Sequence, residues 1–305
     1  MTLRTVGLLS PGDMGHAVGQ VLGSNGLRVI TCLRGRSQRT RSLADLAHIA
    51  DVPTYQALVT EADILLSILV PAQAKQAARV IAKAISETKA DLTYADCNAI
   101  APQTACEIGE IITEAGGRFV DAGIIGSPPG KKGSTYFYAS GPDVNAFEEL
   151  SRFGLNVIVL GEQIGQASAM KMCYAALTKG LVALCTELLT AAEILGVSQA
   201  LKERLLSGQS ILYERMEQEM PKIPEKSRRW IGEMEEIAKT FKHIGLTPKI
   251  HAGAAEMYRL VDKTALAERT PEDPTPRPSL SRIVTFLADY LSEFQKSPAR
   301  AKNDR

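Results

Sequence analysis

Three groups of residues in this chain can do chemistry by their type and spacing. The first is Ser10-Pro11-Gly12-Asp13-Met14-Gly15, which follows an apolar stretch and opens a helical one. Glycine at 12 lets the backbone approach a pyrophosphate with no Cβ in the way, and glycine at 15 lets the helix pack closely on the strand. The helix N-terminus offers free N–H groups at the positive end of its dipole. This is a dinucleotide-binding turn with Ser10 at the first glycine position; the alternative is an ordinary βα turn whose glycines serve packing. The second group is Leu33-Arg34-Gly35-Arg36-Ser37, closing the next apolar stretch. An NAD-specific domain presents an acid there to the ribose hydroxyls. Here there is none, and Arg34, Arg36 and Ser37 can hold a ribose 2′-phosphate, unless they are only a solvated basic loop. The third is Lys171, set among small and apolar residues, with Tyr174, Ala175 and Thr178 on its helical face. Partial burial suits a lysine to proton transfer; a side chain that reaches solvent is the competing reading.

The elements that must position these groups follow from periodicity. Apolar, β-rich runs at Thr5–Leu9, Arg28–Leu33, Ile64–Val70, Thr93–Cys97, Arg118–Asp121, Ser134–Ala139 and Asn156–Leu160 alternate with Ala- and Leu-rich stretches. That alternation predicts a parallel sheet covered by crossover helices. From Ile164 to Leu195 the chain reads as one helix of about 32 residues, roughly 48 Å long. Further helices are predicted at Leu201–Met220, Ser227–Ile244, Lys249–Leu266 and Leu280–Phe294, separated by Gly or Pro. The expected fold is an α/β Rossmann domain over residues 1–163, joined by the long helix to an all-α domain over 164–305. The proline-rich segment 270–278 reads as an extended linker, and 296–305 as a frayed polar end.

Composition bounds the function. In 305 residues, 35 Lys+Arg against 34 Asp+Glu give a net charge of +1, and 45% hydrophobic with 23% charged residues is ordinary globular usage. A nucleic-acid partner is not expected. No window approaches 18 consecutive apolar residues, so a cytoplasmic protein without a membrane partner is expected. The five cysteines, Cys32, Cys97, Cys106, Cys173 and Cys185, are scattered, with no metal-ligand spacing, and read as reduced core thiols. The histidines at 16, 243 and 251 likewise show no ligand spacing, and Lys179 reads as a surface residue.

Taken in order, Gly7-x4-Gly12-x-Met14-Gly15, Leu69-Val70-Pro71, Asp96-Cys-Asn98-Ala-Ile-Ala-Pro-Gln-Thr104, Phe119-Val-Asp-Ala122 with Gly126, and Gly165…Lys171 resemble the β-hydroxyacid dehydrogenase family. That family includes 3-hydroxyisobutyrate and 6-phosphogluconate dehydrogenases and the imine reductases. The C-terminal half resembles the branch described as 6-phosphogluconate-dehydrogenase-like with a C-terminal domain of unknown function. The resemblance implies hydride transfer between NADP(H) and a small hydroxy or carbonyl compound, with Lys171 as general acid/base. It also places Leu69, Val70, Pro71 and Asn98 beside the cofactor, and Ile125, Gly126, Ser127 and Tyr174 at the substrate. Trp230, Glu233 and Glu236 can line the far wall of the substrate cleft, or belong to an amphipathic core helix. Lys131 and Lys132 can bind an anionic substrate arm, or belong to a solvated loop.

This chain departs from the family pattern twice. Where the family loop reads Asp-Ala-Pro-Val-Ser-Gly-Gly, this chain has Asp121-Ala-Gly-Ile-Ile-Gly-Ser127, with Ile125 in place of the serine; Ala175 replaces the asparagine four residues after the lysine. A less polar bound group near residue 125 is expected. Two alternatives stand beside the dehydrogenase reading: an NADP-binding sensor or scaffold without catalysis, and imine reduction. The apolar stripe of Leu177, Leu181, Leu184, Leu188 and Leu195 exceeds what one helical domain covers, and relatives pair through such domains, so a homodimer is expected.

Overall fold

The computed structural model describes residues 3–130 and 135–296, with side chains described as far as Glu293. The chain divides into two compact units, Met1–Tyr174 and Ala175–Arg305. The division falls inside the long helix, later than the expected boundary at 163/164, because the first turns of that helix pack on a strand of the first unit.

The first unit is built on eight strands: β1 (Thr5–Leu8), β2 (Arg28–Thr31), β3 (Ala50–Asp51), β4 (Ile64–Ser67), β5 (Thr93–Asp96), β6 (Arg118–Gly126), β7 (Thr135–Ser140) and β8 (Asn156–Gly161). Their order in the sheet is β3-β2-β1-β4-β5-β6-β7-β8. Strands β1 to β6 pair in parallel, β7 runs antiparallel to β6, and β8 is parallel to β7. The strands alternate with α1 (Asp13–Ser24), α2 (Gln38–Leu46), α3 (Tyr55–Glu61), α4 (Ala74–Thr88), α5 (Pro102–Glu114) and α6 (Asn145–Glu148). Because side chains alternate along a strand, Ile64 and Leu66 join one core with Val18, Leu22 and Phe147, while Leu65 joins the opposite core with Ile81, Ile108 and Ile112. The sheet is therefore buried on both faces. Its order reverses between β1 and β4, which opens a crevice beyond their carboxyl ends.

β2 and β4 end at Thr31 and Ser67, short of the expected Leu33 and Val70, and two further differences concern β3 and β6. The two-residue β3 is too short to show a period, and β6 continues five residues past Asp121 because its second half pairs with β7. The expected loop around Ile125 is thus a strand end.

The helices that follow are α7 (Gln166–Ile194), α8 (Ser198–Gly208), α9 (Ser210–Glu219), α10 (Ser227–His243), α11 (Lys249–Asp262) and α12 (Leu280–Lys296). The helix expected over 201–220 is two, meeting at Gln209, whose φ of −146° leaves the helical region. The proline-rich segment is not simply extended: Arg269 closes it by donating to the Thr275 carbonyl at 2.8 Å. By length and composition α7 is apolar enough to cross a membrane, with hydropathy 1.4 over 18 residues, 39% of them buried. An unbroken-run criterion misses this. A core helix of a soluble protein passes the same test, and the first turns of α7 pack on β6. Cys32, Cys97 and Cys185 are buried as expected, whereas Cys106 and Cys173 are exposed.

Candidate functional site

The glycine turn lies at the carboxyl end of β1, at the point where the sheet order reverses. Gly12 is the N-cap of α1, and a Cβ built on it meets nothing within 4 Å among the described residues. A Cβ on Gly15 would stand 2.1 Å from the Ser10 carbonyl oxygen. The two glycines therefore do different work: the first leaves an open approach to the backbone, and the second allows the turn to close. With Gly12 as cap, the N–H groups of Asp13, Met14 and Gly15 have no carbonyl within the helix and form an anion cradle. Ser10 supplies the carbonyl that Gly15 fits against, so its side chain is not what the turn requires. Asp13 pairs with Arg39 at the surface. His16 turns back on the cradle, its Nδ1 2.8 Å from the Gly12 carbonyl oxygen.

Beside the cradle is a cavity of about 510 Å³, lined by Arg34, Arg36, Tyr55, Leu69, Gln73 and Gln76 among others. Its place at the ends of β2 and β4 fits the adenosine half of a dinucleotide. The two arginines differ. Arg34 is exposed along the cavity, whereas Arg36 Nη2 donates to the Leu9 carbonyl at 2.9 Å and braces the turn. Ser37, expected at a phosphate, is the N-cap of α2 and accepts from the Thr40 N–H at 3.2 Å. The carboxylate bonded to this loop is that of Asp51, which accepts the Leu33 N–H at 2.8 Å. Tyr55, Gln73 and Gln76 were not singled out in the sequence, because the elements that carry them show no motif.

Across the carboxyl edge, Ser67, Asp96, Asp121 and Ser140 are register neighbours on β4, β5, β6 and β7. All are buried, Asp96 at 1% and the other three at 0% exposure. Asp96 accepts from the Asn98 N–H and from Asn98 Nδ2, each at 3.0 Å. The second Nδ2 proton goes to Ser67 Oγ at 3.0 Å, and Asn98 Oδ1 accepts the Leu69 N–H at 2.5 Å. Both amide protons of Asn98 are thus used inside the protein. Expected to orient a ribose or substrate directly, Asn98 is 2% exposed and instead fastens Leu69, with Val70 and Pro71 following, to the end of β5.

Asp121 serves the other side of the row. Its Oδ2 accepts from Ser140 Oγ at 3.1 Å, the Gly165 N–H at 2.9 Å and the Ser168 N–H at 3.0 Å, and its Oδ1 accepts from Ser168 Oγ at 2.5 Å. This is a helix cap supplied by a neighbouring strand. One turn later Lys171 donates from Nζ to the Ile124 carbonyl on β6. Gly123 makes the approach possible, since a Cβ there would lie 2.9 Å from the Ala167 carbonyl oxygen and 3.0 Å from Lys171 Cβ. Burial raises the Asp96 carboxyl to about 7, and burial likewise raises Asp121 against the pull of its four donors.

With the turn, sheet and cavity in place, a family profile described as the NAD-binding domain of 6-phosphogluconate dehydrogenase matches residues 5–157, half of the chain. The chain belongs to that family. A second profile, a domain of unknown function (DUF1932), matches residues 192–261. The chain is 30% identical over 200 residues to an uncharacterized 28.5 kDa protein of Methanothermus fervidus, covering 66% of this chain and 75% of that one. Among solved structures it is similar to the conserved protein MTH1747, described as structurally similar to 3-hydroxyacid dehydrogenases. That likeness has 28% identity and a TM-score of 0.64, over 87% of this chain and 100% of the other. The Mycobacterium tuberculosis 3-hydroxyisobutyrate dehydrogenase shares the fold at 16% identity and a TM-score of 0.67, over 94% and 99% of the two chains. The profile of this NAD-binding family spans the glycine turn at the β1 end.

The remaining candidates are scattered. Ile125 is buried at the β6 end opposite Tyr136, while Gly126 and Ser127 are exposed there and the Ser127 carbonyl accepts from Thr135 Oγ1 at 2.5 Å. Tyr174 is half-exposed three residues after Lys171. Trp230 is not an open wall: it is 5% exposed inside the helical unit, edge-on to Tyr258 with ring centres 5.2 Å apart. Lys179 corrects the sequence reading too: it is partly buried and forms an ion pair with the buried Glu233. His251 is buried, with Nδ1 lacking a hydrogen-bond partner among the described residues. Lys131 and Lys132 lie outside the described residues, as do residues 297–305.

Proposed function

We propose that the protein is an NADP(H)-dependent oxidoreductase that moves hydride to or from a small hydroxy or carbonyl substrate, with Lys171 as general acid/base. The observation that carries this reading is the Lys171 ammonium fastened to the Ile124 carbonyl, at the carboxyl edge of the sheet that holds the dinucleotide cradle. The bound nicotinamide supplies or accepts the hydride. The chain's own groups do the rest. The N–H groups of residues 13–15 hold the pyrophosphate, and the segment 69–71 lies beside the cofactor. In oxidation Lys171 Nζ, as the neutral amine, takes the proton from the substrate hydroxyl as hydride leaves carbon; in reduction its ammonium gives a proton to the carbonyl oxygen. Preference for NADP(H) rests on the absent acid at residues 33–37 and on Arg34 at the cavity, while Arg36 braces the turn at Leu9.

Lys171→Ala should keep NADPH affinity near the parent value and cut turnover by about a hundredfold or more. Unchanged turnover refutes the assignment. A panel of alcohols, hydroxy acids, carbonyls and imines with NADP(H) separates this reading from a cofactor sensor, which turns over none of them.

The protein is further proposed to work as a homodimer through its helical unit. Leu177, Leu184 and Leu195 are 63%, 55% and 73% exposed, and a largely apolar groove of about 480 Å³ lies between α7 and α11. Such a face is ordinarily covered by a partner. Light scattering decides it: a mass near the 32.9 kDa of one chain refutes the dimer.

A further inference from the structure

Two buried carboxyls as immediate neighbours are costly, because each loses its hydration and each repels the other's charge. Apolar residues at 96 and 121 would fill the same space without that penalty, so the cost is informative where the bonds these groups make lead somewhere specific. From Asp121 they lead into α7. Two backbone N–H groups and two hydroxyls converge on it, so the first turn of the helix is fixed in height and rotation, and Lys171 lies three residues beyond Ser168. From Asp96 they lead the opposite way. The carboxyl sets which edge of the Asn98 amide presents its protons, and so directs Asn98 Oδ1 at the Leu69 N–H. The side chains at either end of the row repeat this division: Ser140 Oγ accepts the Ala167 N–H at 3.0 Å, and Ser67 Oγ accepts from Asn98.

We propose that Asp121 and Asp96 are positioning residues with divided tasks, Asp121 fixing Lys171 through the cap of α7 and Asp96 fixing the cofactor segment 69–71 through Asn98. The inference rests on the reading of Lys171 and the cofactor turn given above. It adds that the acid/base group and the cofactor bed are aligned by one polar rung of the sheet.

The test uses Asp121→Asn and Asp96→Asn in the full chain, each with three readouts. NADPH affinity comes from fluorescence titration, the accessibility of Lys171 from its rate of acetylation by acetic anhydride, and turnover from the best substrate of the panel. For Asp121→Asn, the NADPH dissociation constant stays within about twofold, Lys171 is acetylated at least about fivefold faster, and kcat falls about ten- to a hundredfold. For Asp96→Asn the pattern reverses: NADPH binds about tenfold more weakly while Lys171 is acetylated at the parent rate. Equal effects of both variants on both readouts, or no effect in a folded variant, overturn the proposal. Should Asp121→Asn fail to fold, Ser168→Ala removes one donor and keeps the carboxylate. It gives the same changes at smaller size, and parental acetylation and kcat there also overturn the proposal. Turnover surviving in Lys171→Ala would defeat the functional reading, while NADPH titration and acetylation would still decide the division of tasks.

Discussion

Replacing Asp96 by Asn should remove a penalty that the parent protein carries above neutral pH. Asp96 is fully buried, faces Asp121 across the ladder with Tyr94 and Cys97 nearby, and its carboxyl is raised by burial from the usual 3.8 to about 7. In the unfolded chain the proton leaves near the lower value; in the native state it stays until neutrality. Between these limits the native state binds more protons, so its stability falls as pH rises, and the loss is complete above the folded value. The whole displacement corresponds to about 4 kcal/mol, of which about 3 kcal/mol is lost between roughly pH 5 and pH 8.5. Asn at 96 does not titrate. It also gives up one of the two bonds from Asn98, so near pH 5 the variant should lie within about 1 kcal/mol of the parent. Urea unfolding of both proteins at several pH values, followed by circular dichroism, reads the difference directly. The variant should gain on the parent by about 3 kcal/mol across that range. Parallel pH profiles, or a gap that moves the other way, would refute the reasoning.

Other outcomes follow from single contacts. Gly15→Ala places a methyl against the Ser10 carbonyl and should weaken NADPH at least about tenfold in a titration, with circular dichroism unchanged. Gly123→Ala should lift the first turns of α7 from β6, lowering kcat while NADPH affinity holds. Glu233→Ala leaves the partly buried Lys179 charge without this partner and should cost about 3 kcal/mol or less in urea unfolding; Lys179→Met with Glu233→Leu should restore most of it. Arg34→Ala should weaken NADPH far more than NADH, and equal losses would show that this arginine does not read the 2′-phosphate.

The parts legible in the sequence are those whose physics is local. A strand, a glycine turn and a helix are neighbours in the chain, so Gly12 and Gly15 stand out as a candidate dinucleotide turn, and the alternation of β and helical stretches declares a parallel sheet. Lys171 was legible only through its order among other motifs, because a lysine in a helix has no local signature of catalysis. The readings that changed concern contacts between distant segments. Asn98 was assigned to ligand because its partners, Ser67, Asp96 and Leu69, come together only when β4 and β5 pair. Lys179 reads as a surface residue, and Trp230 as cleft wall or core helix, because an amphipathic pattern does not say what covers a given face.

By itself the sequence determined the Rossmann order, and it marked the glycine turn and Lys171 as candidates. Tertiary structure alone decided that Ser67, Asp96, Asp121 and Ser140 form one polar rung. Within the chain these residues are 29, 25 and 19 positions apart on four separate strands, and no periodicity links them. Strand register does, because pairing, parallel from β4 to β6 and antiparallel between β6 and β7, sets residues of different strands side by side at one height in the sheet. Register is a property of the assembled sheet, fixed by its buried faces rather than by any single strand.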